Sequence, residues 1–299
     1  MTRATTAPDP SPDLSPDRAL DPAVARELAD LALAEDLAGG VDVTTLATVP
    51  EGARGLALLV ARQPGVVAGL DVAGAVFAAR LGGDQGVHRV AADGERVRAG
   101  QVLMEVSGPV RDLLTAERSA LNLLTHLSGV ASLTARWVAA VAGTGAVIRD
   151  TRKTMPGLRA AEKYAVRCGG GANHRMGLHD QALIKDNHVV AAGGVGAAIR
   201  AVRARFPEVF CEVECDTLDQ VAEAVREGAV LVLLDNMDVA TLRTAVALCA
   251  PHGTRTEASG GLTLAGARAV AETGVDYLAV GALTHSAPVL NVSLELLQG

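Results

Sequence analysis

The 299-residue chain is long enough for one large domain or two modest ones. Hydrophobic residues make up 49% but aromatics only 2%, so any core must be built from Ala, Val and Leu, and stacking-based nucleic-acid binding is disfavoured. A net charge of -7 gives no global pull toward nucleic acid or an anionic membrane, so any anion must be gripped by a local cluster of cations.

Residues 1 to about 22 carry Pro8, Pro10, Pro12, Pro16 and Pro22 among Asp, Ser and Thr, and read as a disordered tail. Helical periodicity starts near Val24 (Val24, Leu28, Leu31, Leu33) and stops at Gly39-Gly40. Short β-like runs follow at 55–61, 66–69 and 102–106, with a helical stretch at 72–81. The segment from Asp93 to Leu103 has glycines at its corners and reads as a tight structural turn unit. A long helical pattern then runs from Leu113 to Val141 through Leu121, Leu124, Leu127 and Val130.

From residue 146 the rhythm changes to short apolar runs alternating with helical stretches. Six runs end in polar or glycine residues: Ala146–Ile148, Ala182–Ile184, Phe210–Val213, Leu231–Leu234, Arg255–Thr256 and Tyr277–Val280. Parallel β/α barrels place their chemistry at this carboxyl end of the strands. Six strands are fewer than eight, so an incomplete barrel is expected.

Between Asp150 and His188 there are seven Lys or Arg against four Asp or Glu. Arg152, Lys153, Arg175 and Lys185 sit at strand ends or beside glycine turns and read as an anion site. Arg159, Lys163 and Arg167, spaced four apart along a helical stretch, read as a solvated basic face. Several clustered cations imply a substrate with several negative charges. Glu214, Asp216 and Asp235 add acids from neighbouring strand ends, suited to magnesium, ribose hydroxyls or ion pairing with those cations. Ser259-Gly260-Gly261 and Gly281 follow the last two strands, where backbone N–H groups can approach a phosphate. His285 and Ser286 either add donors or cap the next element. The four cysteines (Cys168, Cys211, Cys215, Cys249) form no metal-type spacing and read as buried free thiols, with the reactivity of Cys168 open beside Arg167. With no signal-peptide pattern and no long charge-free apolar run, a cytoplasmic protein is expected.

Taken together, Thr115-Ala116-Glu117-Arg118, Asp150-Thr151-Arg152-Lys153-Thr154, Asn173-His174-Arg175, Ile184-Lys185-Asp186-Asn187-His188, Glu212-Val213-Glu214, Leu234-Asp235-Asn236, Ser259-Gly260-Gly261 and Val280-Gly281-Ala282-Leu283-Thr284-His285-Ser286 resemble the quinolinate phosphoribosyltransferases. Glu35-Asp36 and Asp42-Val43-Thr44-Thr45 extend the match toward the N-terminus, so that it covers residues from about 23 to 299. The resemblance implies an α/β protein with an N-terminal α/β sandwich domain (23–128) and an open β/α barrel (129–286). A final helix (287–299) would pack back on the first domain. It also implies a homodimer in which Arg118 reaches the partner's site, with quinolinate and phosphoribosyl pyrophosphate as substrates and Mg2+ as cofactor. On that reading Arg118, Arg152, His174, Arg175 and Lys185 hold the quinolinate carboxylates, and Lys153 meets the pyrophosphate. Glu214 and Asp235 serve the ribose or the metal, while Ser259, Gly260 and Gly281 hold the 5-phosphate. Lys153, Lys185, Glu214 and Asp235 are the expected catalytic residues. A molybdenum-associated paralogue, a Schiff-base aldolase using Lys185 and a non-catalytic metabolite sensor are the competing readings.

Overall fold

The computed structural model describes residues 19–298, so the expected tail lies, up to residue 18, outside the described residues. The first helix, α1 (Pro22–Leu37), starts where local chemistry favours it. Asp21 accepts the Ala23 N–H at 2.8 Å, and Pro22 supplies a helix-ready φ at the first position. Leu20, within the expected tail, is already buried. The chain continues through α2 (Val43–Thr48), β1 (Arg54–Ala61), β2 (Gly65–Val66), α3 (Leu70–Leu81), β3 (Val87–Arg89), β4 (Arg96–Val97), β5 (Val102–Pro109) and the 31-residue α4 (Val110–Ala140). Next come β6 (Val147–Arg149), α5 (Arg159–Cys168), β7 (Ala182–Ile184), α6 (Asp186–Ala192), α7 (Val195–Arg205), β8 (Cys211–Cys215), α8 (Leu218–Arg226) and β9 (Leu231–Asp235). The chain closes with α9 (Val239–Cys249), β10 (Arg255–Ser259), α10 (Ala267–Ala271), β11 (Tyr277–Ala279), α11 (Ala282–His285) and β12 (Val292–Gln298).

Two compact units result. One comprises 19–135, Thr154–Gly170 and 282–298. Its antiparallel sheet runs β12-β1-β5-β3, over a core of Leu59, Phe77, Leu103, Met104, Leu113 and Leu124. The expected final helix is instead strand β12, paired with β1 from Gly55↔Gln298 to Ala61↔Val292. The reason is a period of two: Val292, Leu294 and Leu296 pack against the core and alternate with Ser293 and Glu295. The expected strand at 66–69 stops at Val66, because Gly69 takes φ 95 to start α3. Its amide and that of Leu70 donate to Asp93 at 2.9 and 3.1 Å, and the Tyr164 hydroxyl donates to the same carboxylate at 2.8 Å. The turn from Asp93 to Leu103 is therefore structural, with Gly94 and Gly100 at φ 87 and 83.

Helix α5 also departs from expectation. Ala161, Glu162, Lys163, Tyr164, Ala165 and Val166 are all buried, and Lys163 is fully so. The basic face predicted for Arg159, Lys163 and Arg167 is not a solvated one. A helix packed on more than one side has no free polar face, which spacing alone does not reveal. Glu162 anchors it by accepting from His126 at 2.8 Å and from the Met155 amide at 3.1 Å.

The other unit contains Arg136–Lys153 and Gly171–Gly281. All six expected strands are present in one parallel sheet, ordered β6-β11-β10-β9-β8-β7. Strands β6 and β7 stand at opposite edges, which makes the barrel open. Ala172 extends the edge at β6 by bridging to Arg149. Strands β8 and β9 are nearly continuously buried, as a parallel sheet under helices requires. The inner faces of α8 (Val221, Ala224, Val225) and α9 (Leu242, Ala245, Cys249) supply cover. Thr217 and Gln220 form a capping box on α8, and Asp238 caps α9 through the Thr241 amide at 2.8 Å. The protein is thus α/β, with an N-terminal sandwich and a C-terminal open barrel.

Candidate active site

The strand ends of the barrel unit surround a cavity of about 580 Å3, within the range of small-molecule sites. Parallel register sets its wall. Glu214, Leu233 and Glu257 stand in one row across β8, β9 and β10, and Asp235 and Ser259 pair in the next. Because side chains alternate along a strand, these rows face the same side, and all five residues line the cavity. Thr151, Arg152, Lys153, His174, Arg175 and Lys185 complete most of the remaining wall.

The cavity therefore combines four full cations with three carboxylates. The Arg152 Nε is buried with no hydrogen-bond partner among the described residues. Arg175 is buried, its guanidinium donating to the Gln181 carbonyl at 3.1 Å. Burial, and then the charge of Arg152, lower its pKa from the usual arginine value. Two guanidiniums that repel each other beside an open cavity are a receptor for a multiply charged anion. Lys185 instead has a partner, since its Nζ donates to Glu214 Oε2. Its backbone is fixed by His188, whose Nδ1 accepts the Lys185 amide at 2.9 Å.

Beneath these residues lies a buried charged network. Arg149 donates to Glu257 at 2.6 Å and stacks over the Tyr277 ring at 4.7 Å. His174 Nε2 lies 2.9 Å from Glu212 and 3.4 Å from Glu257, and Gln181 donates to Glu212 at 2.9 Å. Burial works against charge on the imidazole, yet the hydrogen bonds and charges of the two glutamates outweigh it and push His174 up to about 9. The Arg175 amide, 2.7 Å from Nδ1, favours the neutral ring. Two fully buried carboxylates beside the ring favour its charged form, against that amide. Burial opposes charge on both glutamates. Arg149 wins at Glu257 and holds it low, while burial and the Glu257 charge push Glu212 up. The ligand atoms of His174, Glu212 and Glu257 lie within 4.8 Å of one another. With Arg149 and Gln181 already on the carboxylates, the trio reads as a charge-balanced network rather than a metal centre.

Of the residues expected from the sequence, the structure brings Arg152, Lys153, His174, Arg175, Lys185, Glu214, Asp235, Ser259 and Gly260 to one cavity. Gly281 follows β11 and is not part of the lining. Asp216 is exposed and also outside it. His285 and Ser286 bond to each other at 2.6 Å. Arg118 lies exposed on α4, outside this cavity's lining. Sequence reasoning gave no role to Glu212, Glu257, Asp150 or Asn236. Glu212 lies two residues before Glu214, and Glu257 two before Ser259, so the period-two pattern held a signal for both. Asp150 is fully buried and accepts from Asn173 at 2.5 Å and from the His174 amide at 2.8 Å, fixing the segment that carries Arg175. At Cys168 burial, with the Asp93 charge, pushes the thiol up to about 12, against the opposing pull of Tyr164 and Arg167. All four cysteines are free; Cys215 and Cys249 are buried, as expected, but Cys168 and Cys211 only partly so.

Two family models match the chain: the quinolinate phosphoribosyl transferase N-terminal domain over residues 42–128 and its C-terminal domain over residues 130–295. The nicotinate-nucleotide pyrophosphorylase [carboxylating] of Mycobacterium leprae is 53% identical over 91% of this chain and 97% of its own. A probable enzyme of the same name from Bacillus subtilis is 41% identical, covering 80% and 82%. The crystal structure of NadC from Streptococcus pyogenes superposes with a TM-score of 0.88 at 38% identity, covering 95% of this chain and all of that one. The nicotinate-nucleotide pyrophosphorylase of Francisella tularensis gives 0.87 at 35% identity, covering 93% and 98%.

Proposed function

Since the chain belongs to the quinolinate phosphoribosyl transferase family, we propose that it joins quinolinate to the ribosyl phosphate of phosphoribosyl pyrophosphate, releasing carbon dioxide and pyrophosphate and forming nicotinate mononucleotide for NAD synthesis. The observation that carries this reading is the pair Arg152 and Arg175 at an open cavity, one with a buried unpartnered nitrogen. A pyridine dicarboxylate supplies the two negative groups such a pair lacks.

In this reading Arg152 and Arg175 grip the carboxylates with Lys185. His174, whose ring nitrogens both face groups within the protein, contributes charge behind Arg175. Lys153 meets the pyrophosphate, and Ser259 and Gly260 hold the 5-phosphate. Glu214 and Asp235, at adjoining strand ends, offer the oxygen donors that magnesium prefers. Among the described residues no third acid joins them, so the substrate would supply the remaining oxygen donors. The metal would neutralise charge on the leaving pyrophosphate.

Bond breaking at the anomeric carbon leaves the electron pair on pyrophosphate and positive charge on the ribose. Glu214 and Asp235 stabilise that charge electrostatically. The ring nitrogen donates its lone pair to form the new bond. The neighbouring carboxylate then departs as carbon dioxide, its bonding pair stays on the ring carbon, and that carbon takes a proton. Lys185 serves this carboxylate.

We also propose a homodimer in which Arg118 of the partner subunit enters the cavity. In support, Arg118 is exposed one turn from Thr115, which holds Asp42 at 3.2 Å, and Asp42 sits between exposed Val41 and Val43. Such an apolar patch beside an unused arginine suits an interface. The four free thiols suit a reducing cytoplasm.

Purified protein given quinolinate, phosphoribosyl pyrophosphate and magnesium should form nicotinate mononucleotide. Arg152→Ala or Lys185→Ala should cut turnover by about a hundredfold or more while leaving thermal unfolding unchanged. No product from the wild type, or near-normal turnover in either variant, would overturn the reading.

A further inference from the structure

Asn236 follows β9 directly and takes φ 52, one of two non-glycine residues with positive φ among the described residues. That backbone costs energy for any residue with a side chain, though asparagine tolerates it better than most. The conformation lets three contacts form at once. The Asn236 amide donates to the Ser259 carbonyl at 2.9 Å. Its side-chain Nδ2 donates to Asp235 Oδ2 at 2.6 Å. Its Oδ1 lies where a side chain on Gly260 would begin, so a Cβ there would overlap it. Gly260 itself takes φ 82. Asn236 thus touches the acid at the end of β9 and the glycine turn at the end of β10.

We propose that Asn236 is a positioning residue that clasps the Asp235 carboxylate to the Ser259-Gly260 turn, so that the acid and the backbone amides meeting the phosphoribosyl donor are set before it binds. The inference rests on the assignment of that donor to this end of the cavity. Its reach is specific: Arg152, Arg175 and Lys185 lie on other segments, so the clasp governs the phosphoribosyl donor and not the dicarboxylate.

Two variants separate the clasp from the backbone it needs. Asn236→Gly keeps the left-handed conformation without strain but loses the side chain. Asn236→Asp keeps the shape but sets a second carboxylate against Asp235. Binding of phosphoribosyl pyrophosphate with magnesium, read by calorimetry without quinolinate, should weaken on the order of tenfold in Asn236→Gly. Affinity for quinolinate and the unfolding temperature should stay near wild type. Asn236→Asp, which loses the Nδ2 donor while keeping the side-chain volume, should weaken donor binding at least as much. Wild-type donor affinity in both variants, or equal weakening for both substrates, would overturn the clasp. Wild-type protein that binds the donor yet makes no nucleotide would overturn the proposed reaction alone; wild-type protein that does not bind the donor would overturn both.

Discussion

The three inward glutamates of β8 and β10 differ only in what they meet. Glu214 pairs with Lys185 at the cavity, while Glu212 and Glu257 face His174 and Arg149 beneath it. The sequence placed Glu214 in the site because it follows an apolar run; Glu212 stood only within a motif, and Glu257 had no role. Their role depends on residues from β6 and the segment before β7, which no local pattern connects. His174 gives a test. Its folded pKa, about 9, lies above the ordinary histidine value, so the stability it contributes is fully present below about pH 6.5 and is lost as pH rises through about 9. Unfolding temperature measured from pH 6 to 10 should therefore fall more steeply in the wild type than in His174→Gln. Parallel curves would show that the imidazole is neutral throughout.

Elements with a clear period were legible: all six barrel strands and α1, α3 and α4 were placed within a few residues. The closing strand β12 was not, and α5 was legible as a helix but not as a buried one. Seven residues of β12 acquire their conformation from pairing with β1, more than 200 positions earlier, and α5 buries charged residues, Glu162 and Lys163, that spacing places in solvent. Glycine positions carry part of what spacing misses. In α4, a Cβ on Gly129 would overlap the Pro288 carbonyl and sit 2.9 Å from the Val289 Cα. Both are backbone atoms and cannot swing aside. Gly129→Ala should cost about 1–3 kcal/mol through overpacking, read as a lower unfolding temperature. An unchanged value would mean that the 288–289 segment yields freely.

For the whole molecule, low aromatic content and negative charge pointed away from nucleic acid and toward a small, locally basic pocket, and the strand order explains why that pocket forms. Parallel register brings residues more than 100 positions apart to one end of the barrel. Arg118 is the exception, since nothing in one chain assigns it to a cavity. If each site is completed by the partner subunit, Arg118→Ala and Lys185→Ala proteins, each inactive alone, should regain up to about a quarter of wild-type turnover when subunits are exchanged. Each hybrid dimer then holds one intact site. No recovery after demonstrated exchange would mean that Arg118 acts within its own chain or not at all.

The coupling of bond formation to decarboxylation is best read with quinolinate labelled in the carboxylate next to the ring nitrogen. Labelled carbon dioxide should appear in a one-to-one ratio with pyrophosphate, and only when phosphoribosyl pyrophosphate is present. Pyrophosphate without carbon dioxide, or carbon dioxide without the phosphoribosyl donor, would contradict a mechanism in which the cationic ring drives the loss.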